Sequence, residues 1–482
     1  MAAPSTIVDA SGKGTAIKLF CRSARQRLLS HANAASGPKS RLLFVVGNTS
    51  CDLDSVCSAI GFAYHLQSEQ QKRSGEGGLG SQEDTTTHVI PLLNYQRRAF
   101  PQLLQQAYWL EKYFGLSLHD LSFFPEDVQD ILSVSSEHET TTVCCGSESV
   151  SPSTNSTVFH LVDHNEVDPG QRAFLRGRIV GCLDHHEDAG ASFRELLARP
   201  DGTNSDVEIH APSLCGPEKI VGSCASLVLS RLLTRTASAS AKKGFTPTAE
   251  NGAQALEDEG EVFRLLAGAI LCDTRNFADA TKGSKWSVIG DQEVFDQALE
   301  RYASQAKNLD RSGICQDLFE IKFDLERNLA LGFPALLAGD YKQFQYCSTA
   351  TQTTVKIGFA TLPIQLPAVL DKWAVGLLCD DMKAFCASRS THALVILSSD
   401  KDMVKHCGLY STAASTEGQD EAKGAVVDIA MLATGLKTEM GLEEIAITPG
   451  EPASRLFAVY RQQRTEKSRK QVEPLMKALL TA

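Results

Sequence analysis

The chain has 482 residues, which at roughly 150 residues per domain corresponds to two or three domains. Hydrophobic residues make up 43% of it and charged residues 22%, which excludes a mainly disordered, collagenous or coiled-coil protein. The formal net charge of −11 argues against binding along a nucleic-acid duplex, and no apolar run approaches the roughly 18 residues of a membrane span. A polyanionic substrate would therefore need locally concentrated positive charge or metal.

The N-terminal region is predicted to begin with an amphipathic helix. Arg22, Arg25 and Arg27 interrupt its apolar residues, so it does not fit a secretory signal. Its basic character resembles a mitochondrial transit peptide, but we favour a helix packed against the first strand and a cytoplasmic protein. The 14 cysteines include no C-x-x-C pair and are interpreted as reduced, buried residues.

An α/β pattern follows the predicted helix. The expected strands are Arg41–Gly47, His88–Leu93, Val158–Val162 and Arg178–Leu183. The expected helices between and after them are Ser55–Gln67, Gln102–Phe114 and Val262–Cys272. Strands that alternate with helices predict a parallel sheet covered on both faces. Four polar segments are interpreted as surface insertions: Arg73–Thr87, Ser133–Ser156, Thr236–Gly260 and Ser411–Gly424.

The pattern restarts after about Gly313 and predicts a smaller α/β domain with a mixed sheet. Its expected strands and helices are Phe344–Cys347, Val355–Leu362, Leu366–Ser388, Ala393–Ser398, Val426–Thr434 and Leu456–Tyr460. We therefore predict an N-terminal extension over residues 1–40, a parallel-sheet domain over 41–312 and a second domain over 313–482. The active site is expected in the cleft between the two domains.

Carboxylates or histidines follow four of the predicted elements. In chain order these residues are Asn48, Asp52, Asp54, Asp163, Asp184, His185, His186 and Asp273. An aspartate at the end of one element is usually a turn former or a cap. The carboxyl ends of parallel strands share one edge, however, so the recurrence predicts one cluster there.

Several ionised aspartates in one site repel each other unless cations neutralise them. Carboxylates combined with imidazole suit Mg²⁺ or Mn²⁺ better than a thiolate-seeking zinc site. Two such ions about 3.5–4 Å apart favour in-line displacement at phosphorus. The residues alone therefore predict a two-metal phosphohydrolase.

The segments GNTSCDLDS, VDHN, DHH and the DT of CDTRNF, in this order, resemble the four motifs of the DHH phosphoesterases. The SRKQ segment at residues 468–471, with Lys322, resembles the accessory domain shared by manganese-dependent (family II) inorganic pyrophosphatases, exopolyphosphatases and prune proteins. The resemblance implies that Asp52 holds one metal, Asp54 the other, and Asp163 both. His185 and Asp273 would complete the second metal site.

The resemblance also implies the roles of the residues around the metals. His186 would face the substrate phosphate as acid or ligand, and Asp184 would orient an imidazole. Phosphate binding would fall to Arg469, Lys470 and Lys322. His164 and Asn165 lie in the motif as weaker candidates for ligand contact.

Asn48 departs from the pyrophosphatase pattern, which has a metal-binding histidine at this place. It matches the exopolyphosphatase and prune branch, either as a metal ligand or as a cap of the loop. We therefore expect an exopolyphosphatase that acts on short inorganic polyphosphate through a hydroxide held by two cations, Mg²⁺ and/or Mn²⁺. The alternatives are an inorganic pyrophosphatase, a cyclic-nucleotide phosphodiesterase, or a prune-like interaction protein with weak catalysis and protein partners.

Overall fold

The computed structural model divides the chain into two compact units, which are described separately. Phe319–Ala482 and Gln102–Leu104 form the second unit, and the other residues form the first. The structure describes residues 15–33, 41–76, 87–129, 157–198, 206–211, 220–241, 249–283, 285–307, 309–347, 354–412, 427–447 and 456–481. None of the described helices combines the length and apolar character that a membrane crossing requires.

The first unit contains a five-stranded sheet in the order β2-β1-β3-β4-β5, in which every neighbouring pair is parallel. Its strands are β1 (Arg41–Val46), β2 (Thr87–Leu92), β3 (Thr157–Val162), β4 (Ile179–Asp184) and β5 (Asp206–Ile209). All of β3 is buried, as expected for a parallel strand covered on both faces. The predicted parallel sheet is confirmed, although β5 was not foreseen.

The strand order places β1 between the edge strand β2 and the central strand β3. The connection from β1 to β2 runs towards one edge of the sheet, and the later connections run towards the other edge. The strand order therefore reverses between β1 and β3. In open α/β sheets, ligands bind beyond the carboxyl ends of the strands at such a reversal. The residues that follow β1 and β3 are consequently the first to examine for a site.

Helices surround this sheet. They are Ala16–Asn33, Leu53–Glu76, Leu104–Phe114, Pro169–Leu175, Ala191–Arg194, Cys224–Ala241, Ala249–Asp273, Glu293–Arg301 and Ala303–Ala306, with a π-helical turn at Val288–Gln292. The helix Arg311–Lys322 spans the boundary between the units. The first helix buries Ala24 and Leu28 in the same apolar cluster as Leu42 of β1.

Of the four polar segments, only Thr236–Gly260 lies mainly within the described residues, and the other three lie mainly outside them. Thr236–Gly260 is largely helical, because one helix ends at Ala241 and the next begins at Ala249. The helix expected to end at Gln67 continues to Glu76, into the segment interpreted as an insertion. Ser133–Ser156 and nearly all of Ser411–Gly424 lie outside the described residues.

The second unit contains a six-stranded mixed sheet in the order β10-β11-β9-β8-β7-β6, and among these strands only β7 and β8 pair in parallel. The strands are β6 (Tyr341–Cys347), β7 (Thr354–Leu362), β8 (Ala393–Ser399), β9 (Lys405–Ser411), β10 (Leu442–Ile445) and β11 (Phe457–Gln462). The predicted mixed sheet is confirmed.

The helices of this unit are Leu325–Ala330, Phe333–Gly339, Leu366–Lys372, Val375–Arg389, Ile429–Met440 and Arg469–Thr481. The single long helix expected over Leu366–Ser388 is wrong. Trp373 and Ala374 are extended, with ψ of 141° and 140°, and they separate two helices.

Two helical glycines allow a matched test of packing. A Cβ on Gly268 would lie 2.4 Å from ring atoms of the buried Trp109, whereas a Cβ on Gly376 would meet nothing within 4 Å. We expect Gly268→Ala to lower the free energy of unfolding by about 1–3 kcal/mol, because overpacking outweighs helix propensity. Gly376→Ala should raise it by up to about 1 kcal/mol. Urea denaturation measures both changes, and equal effects would contradict the packing of Trp109 on Gly268.

Candidate metal centre

Asp163 directly follows β3 and lies at the centre of the candidate site. It is 1% exposed and has a φ of +61°, a left-handed conformation that aspartate tolerates better than most residues. Its Oδ2 atom accepts hydrogen bonds from Asn48 Nδ2 at 2.8 Å and Ser55 Oγ at 2.6 Å. Its Oδ1 atom lies 3.1 Å from His185 Nε2 but accepts no hydrogen bond of good geometry among the described residues. One oxygen is thus fixed and the other remains available to a ligand.

Asn48 caps the loop after β1. Its side-chain oxygen accepts hydrogen bonds from the backbone nitrogens of Ser50 and Cys51 at 3.0 and 3.1 Å, and from Ser50 Oγ at 2.6 Å. Its backbone N–H donates to Ser55 Oγ at 3.0 Å. Because this oxygen is already committed to three donors, the metal-ligand interpretation of Asn48 is not supported, and the loop-cap alternative matches the contacts.

Asp52 and Asp54 lie on either side of the start of the helix Leu53–Glu76. The exposed Asp52 caps this helix, since its Oδ1 accepts the backbone N–H of Ser55 at 3.0 Å. The buried Asp54 accepts the backbone N–H groups of Cys224 at 2.6 Å and Ala225 at 2.8 Å, at the start of the helix Cys224–Ala241. Asp54 Oδ2 also lies 3.7 Å from His185 Nε2.

The two histidines after β4 are oriented by different partners. Nδ1 of His185 lies 3.0 Å from the carbonyl oxygen of Val221, which can only accept a hydrogen bond, so Nδ1 carries the proton and Nε2 is the atom turned towards Asp163 and Asp54. Nδ1 of His186 lies 2.8 Å from Asp184 Oδ1, which likewise leaves its Nε2 as the second functional atom. A neutral imidazole whose other nitrogen is held in this way is the usual metal ligand.

Asp184 is buried behind the two histidines. Its Oδ1 also accepts the backbone N–H groups of His185 and His186, and its Oδ2 accepts Asn165 Nδ2 at 2.5 Å. Asn165 therefore supports Asp184 rather than a ligand. His164 places its Nδ1 2.9 Å from the carbonyl oxygen of Val162.

Burial raises the pKa of Asp163 well above its usual range, and the charges of Asp54 and Asp52 raise it further. Burial likewise raises the pKa of Asp54. The charge of His185 lowers this pKa, whereas the charge of Asp52 raises it. Burial would also raise the pKa of Asp184, but His186 and its other partners hold it well below the usual value. Ionisation is therefore less favourable at Asp163 and Asp54 than at Asp184.

These residues fit a divalent cation. Ligand atoms of Asp163, His185 and His186 lie within 4.8 Å of one another, and the available Asp163 oxygen faces an imidazole lone pair. A cation there would favour the ionised carboxylates, whose pKa values are raised by burial first and by neighbouring carboxylates second. Asp273, at the end of the helix Ala249–Asp273, is not among these three residues. Burial raises the pKa of the Cys57 thiol, and Asp54, Cys272 and Asp273 raise it further.

A group of positive side chains lies within the second unit. Arg469 Nη1 donates to Asp340 Oδ1 at 2.7 Å and to Thr361 Oγ1 at 3.4 Å, and Arg469 makes no hydrogen bond through Nε or Nη2 to the described residues. Burial raises the pKa of Asp340, but Arg469, Lys342 and Lys322 together hold it below its usual value. Lys470 is the second residue of the helix Arg469–Thr481, and its side chain lies outside the described part.

Sequence reasoning missed the partners that hold the site in place. Ser55 was quoted only as part of a motif, and neither Val221 nor the helix start at Cys224 was considered. A short polar segment, GSCAS, before an apolar run is a helix-start signal that indicates Cys224 and Ala225. No local signal indicates which carboxylate such a helix start accepts.

Comparison with protein families matches residues 43–256 to the DHH family, N-terminal domain, and residues 316–479 to the DHHA2 domain. The chain therefore carries an N-terminal domain of the DHH type, followed by a DHHA2 domain.

Curated relatives cover most of the chain. It is 24% identical to exopolyphosphatase PRUNE1 of Bos taurus over 445 residues, which span 91% of this chain and 75% of the relative. It is also 24% identical to exopolyphosphatase PRUNE1 of Rattus norvegicus over 458 residues, which span 94% of this chain and 79% of the relative. A solved structure from Methanococcus jannaschii, assigned to the family II inorganic pyrophosphatases, has a TM-score of 0.48 at 16% identity and covers 91% of this chain and 99% of that one.

The contacts of Asn48 lead to a test that separates a loop cap from a metal ligand. We expect Asn48→Ala to lower the free energy of unfolding by about 1–3 kcal/mol even in chelator, because buried loop donors lose their acceptor. Its affinity for Mn²⁺ should also fall, because Asp163 loses a hydrogen bond. Chemical denaturation and calorimetric Mn²⁺ titration measure these effects.

The matched control is Asn328→Ala, which removes a buried amide in the second unit that donates to the carbonyl oxygens of Lys322 and Asp324. It should lower stability and leave Mn²⁺ affinity unchanged. A stability loss in Asn48→Ala that appears only when metal is present would contradict the loop-cap role.

Proposed function

We propose that the chain is a metal-dependent exopolyphosphatase that removes the terminal phosphate of short inorganic polyphosphate. The observation that carries this proposal is the Asp163 carboxylate, with one oxygen held by Asn48 and Ser55 and the other facing His185 Nε2 at 3.1 Å. The likeness to exopolyphosphatase PRUNE1 over more than nine tenths of the chain supports the substrate class.

Asp163, His185 and Asp54 are the residues that we assign to the cations, with Asp52 and Asp273 as further ligands. Two divalent cations, Mg²⁺ and/or Mn²⁺, are proposed, because the donors are carboxylate oxygens and imidazole nitrogens. When bound, they lower the pKa of a coordinated water and polarise phosphoryl oxygens.

His186 is proposed as the residue that handles a proton at the substrate. Its Nδ1–H is held by Asp184, so a second proton taken up on Nε2 would make the ring an imidazolium that donates from Nε2 to a phosphate oxygen. Hydrolysis forms a bond between a water oxygen and the terminal phosphorus and breaks the bond to the bridging oxygen, which leaves on the shortened chain. A proton at His186 Nε2 would neutralise charge on that departing oxygen.

Arg469, Lys322 and Lys470 are proposed to bind substrate phosphates. Asp340 fixes Arg469 through Nη1, so the edge formed by Nε and Nη2 remains for a phosphate. This edge suits bidentate binding of two phosphate oxygens.

The deciding experiment is phosphate release from pyrophosphate, tripolyphosphate, long-chain polyphosphate and cyclic AMP, with Mg²⁺, with Mn²⁺ and in chelator. We expect tripolyphosphate to give the highest kcat/KM and chelator to abolish turnover. Asp163→Asn should reduce turnover more than tenfold while its thermal melt stays close to wild type, because the loss is of charge rather than volume.

Each other outcome corresponds to an alternative. Preference for pyrophosphate would make the chain an inorganic pyrophosphatase, and turnover of cyclic AMP alone would make it a phosphodiesterase. Failure to turn over any of the four substrates at saturating metal would leave an interaction protein. Full activity in chelator would reject the metal-dependent mechanism.

The assignment of Arg469 has its own test. A charge-assisted hydrogen bond to phosphate contributes about 1.5–3 kcal/mol, so Arg469→Ala should lower kcat/KM for tripolyphosphate about 10- to 150-fold. Calorimetric Mn²⁺ affinity should stay unchanged, because Arg469 is assigned to the substrate. The control is Arg464→Ala, since Arg464 is half-exposed and pairs with Glu439 at 3.8 Å. Equal kcat/KM values for the two variants would remove Arg469 from the substrate site.

A further inference from the structure

The segment Val221–Ala225 touches two residues assigned to the metals. The carbonyl oxygen of Val221 accepts the proton of His185 Nδ1 at 3.0 Å, which sets the tautomer of that histidine. Three residues later, the backbone N–H groups of Cys224 and Ala225 fix both oxygens of Asp54. The position of this segment therefore determines how His185 Nε2 and Asp54 face each other.

Asp291 holds this segment. Its side chain is fully buried, and its two oxygens accept the backbone N–H of Gly222 at 3.1 and 2.9 Å. Oδ1 also accepts Ser226 Oγ at 2.7 Å, and Oδ2 accepts the backbone N–H of Ser287 at 3.0 Å. Gly222 directly follows Val221, which contacts His185, and Ser226 directly follows Ala225, which contacts Asp54, so one carboxylate holds the segment near both of its ends.

The surrounding backbone leaves little room for the segment to move. A Cβ on Gly222 would lie 2.0 Å from the carbonyl oxygen of Lys285, so the two backbones are in direct contact there. Asp291 belongs to the π-helical turn Val288–Gln292, and Ser287 caps that turn through Gly290. Turns of this type are rare and occur frequently at functional sites.

We propose that Asp291 is a positioning residue of the metal site, which acts through the segment Val221–Ala225 on His185 and Asp54. It lies beyond residues 43–256, which match the DHH family, and outside every motif quoted from the sequence. The inference rests on the proposed function, because it requires that His185 and Asp54 bind metal. Asp291 itself contacts neither metal nor substrate in this proposal.

The test is calorimetric titration of Mn²⁺ into chelator-treated wild type and Asp291→Asn, each with a thermal melt. The amide keeps the shape of the side chain but replaces one acceptor oxygen by a donor, which cannot accept the N–H groups that it faces. Substitutions in the partners that orient metal ligands typically cost about 10- to 100-fold in metal affinity, and we expect a loss in this range. Half-maximal activity should require a correspondingly higher Mn²⁺ concentration, whereas kcat at saturating Mn²⁺ should recover towards wild type.

The matched control is Asp120→Asn. Asp120 is also buried and also accepts a backbone N–H and a hydroxyl, both from Ser117, but its other partner is Arg22. The Asp120→Asn variant should have a lower melting temperature and an Mn²⁺ affinity within about threefold of wild type. If Asp291→Asn does not fold, Ser226→Ala removes a single hydrogen bond to Asp291 and should weaken Mn²⁺ binding about 3- to 10-fold.

Two outcomes overturn the proposal in distinguishable ways. If Asp291→Asn folds and binds Mn²⁺ with wild-type affinity, Asp291 has a purely structural role and the proposed function stays intact. Where only Ser226→Ala folds, wild-type Mn²⁺ affinity in that variant leads to the same conclusion. Failure of the wild-type chain to bind Mn²⁺ or Mg²⁺ would instead reject the proposed metal site together with this inference.

Discussion

The structure of the first unit depends on burying several carboxylates at the carboxyl edge of one parallel sheet. Asp163, Asp54 and Asp184 are all buried, yet their pKa values move in opposite directions. The difference arises from their partners, because Asp184 accepts hydrogen bonds from His186 and Asn165, whereas Asp163 and Asp54 lie near each other and near Asp52. Burial of like charges is costly unless a positive charge compensates it. The ionised form of Asp184 is stabilised, and this residue therefore serves as a support. Ionised Asp163 and Asp54 are destabilised, so a cation would contribute most favourable electrostatic energy beside these two.

Much of this arrangement follows from the sequence, because parallel strands impose a common edge. Once β1, β3 and β4 are recognised as buried parallel strands, the residues after them must lie at neighbouring positions. Asn48 and Asp163 are separated by 115 residues along the chain, yet their side chains meet at 2.8 Å beside the reversal of strand order. The prediction succeeded where apolar runs were short and ended in polar residues. It failed at β5 and β10, which are four residues long and polar, and at β9, a seven-residue strand with a glycine at its centre.

The sequence does not indicate which atoms donate and which accept the hydrogen bonds within the site. An asparagine offers one oxygen and one amide group, so Asn48 was equally compatible with a metal and with a loop until its three donors were seen. Asp54 was recognised as a ligand candidate, but its contacts with the start of the helix Cys224–Ala241 depend on how that helix packs. Asp291 lies 69 residues from Gly222 in the chain, and neither residue belongs to a pattern that indicates the other. Such pairings are products of tertiary packing and carry no local signature.

The supports of the site share one construction. Asp163 is held by the loop after β1, His186 by Asp184 and Asn165 near β4, and His185 and Asp54 by a segment that Asp291 holds from a π-helical turn. Each support comes from a different part of the unit, so the geometry of the ligands is fixed before any cation arrives. A preorganised site of this kind keeps like charges together at a cost in stability, and a bound cation offsets that cost by mass action. If this site binds a divalent cation as proposed, stability and metal affinity are coupled in this unit, and a change in any support would alter both without touching a ligand.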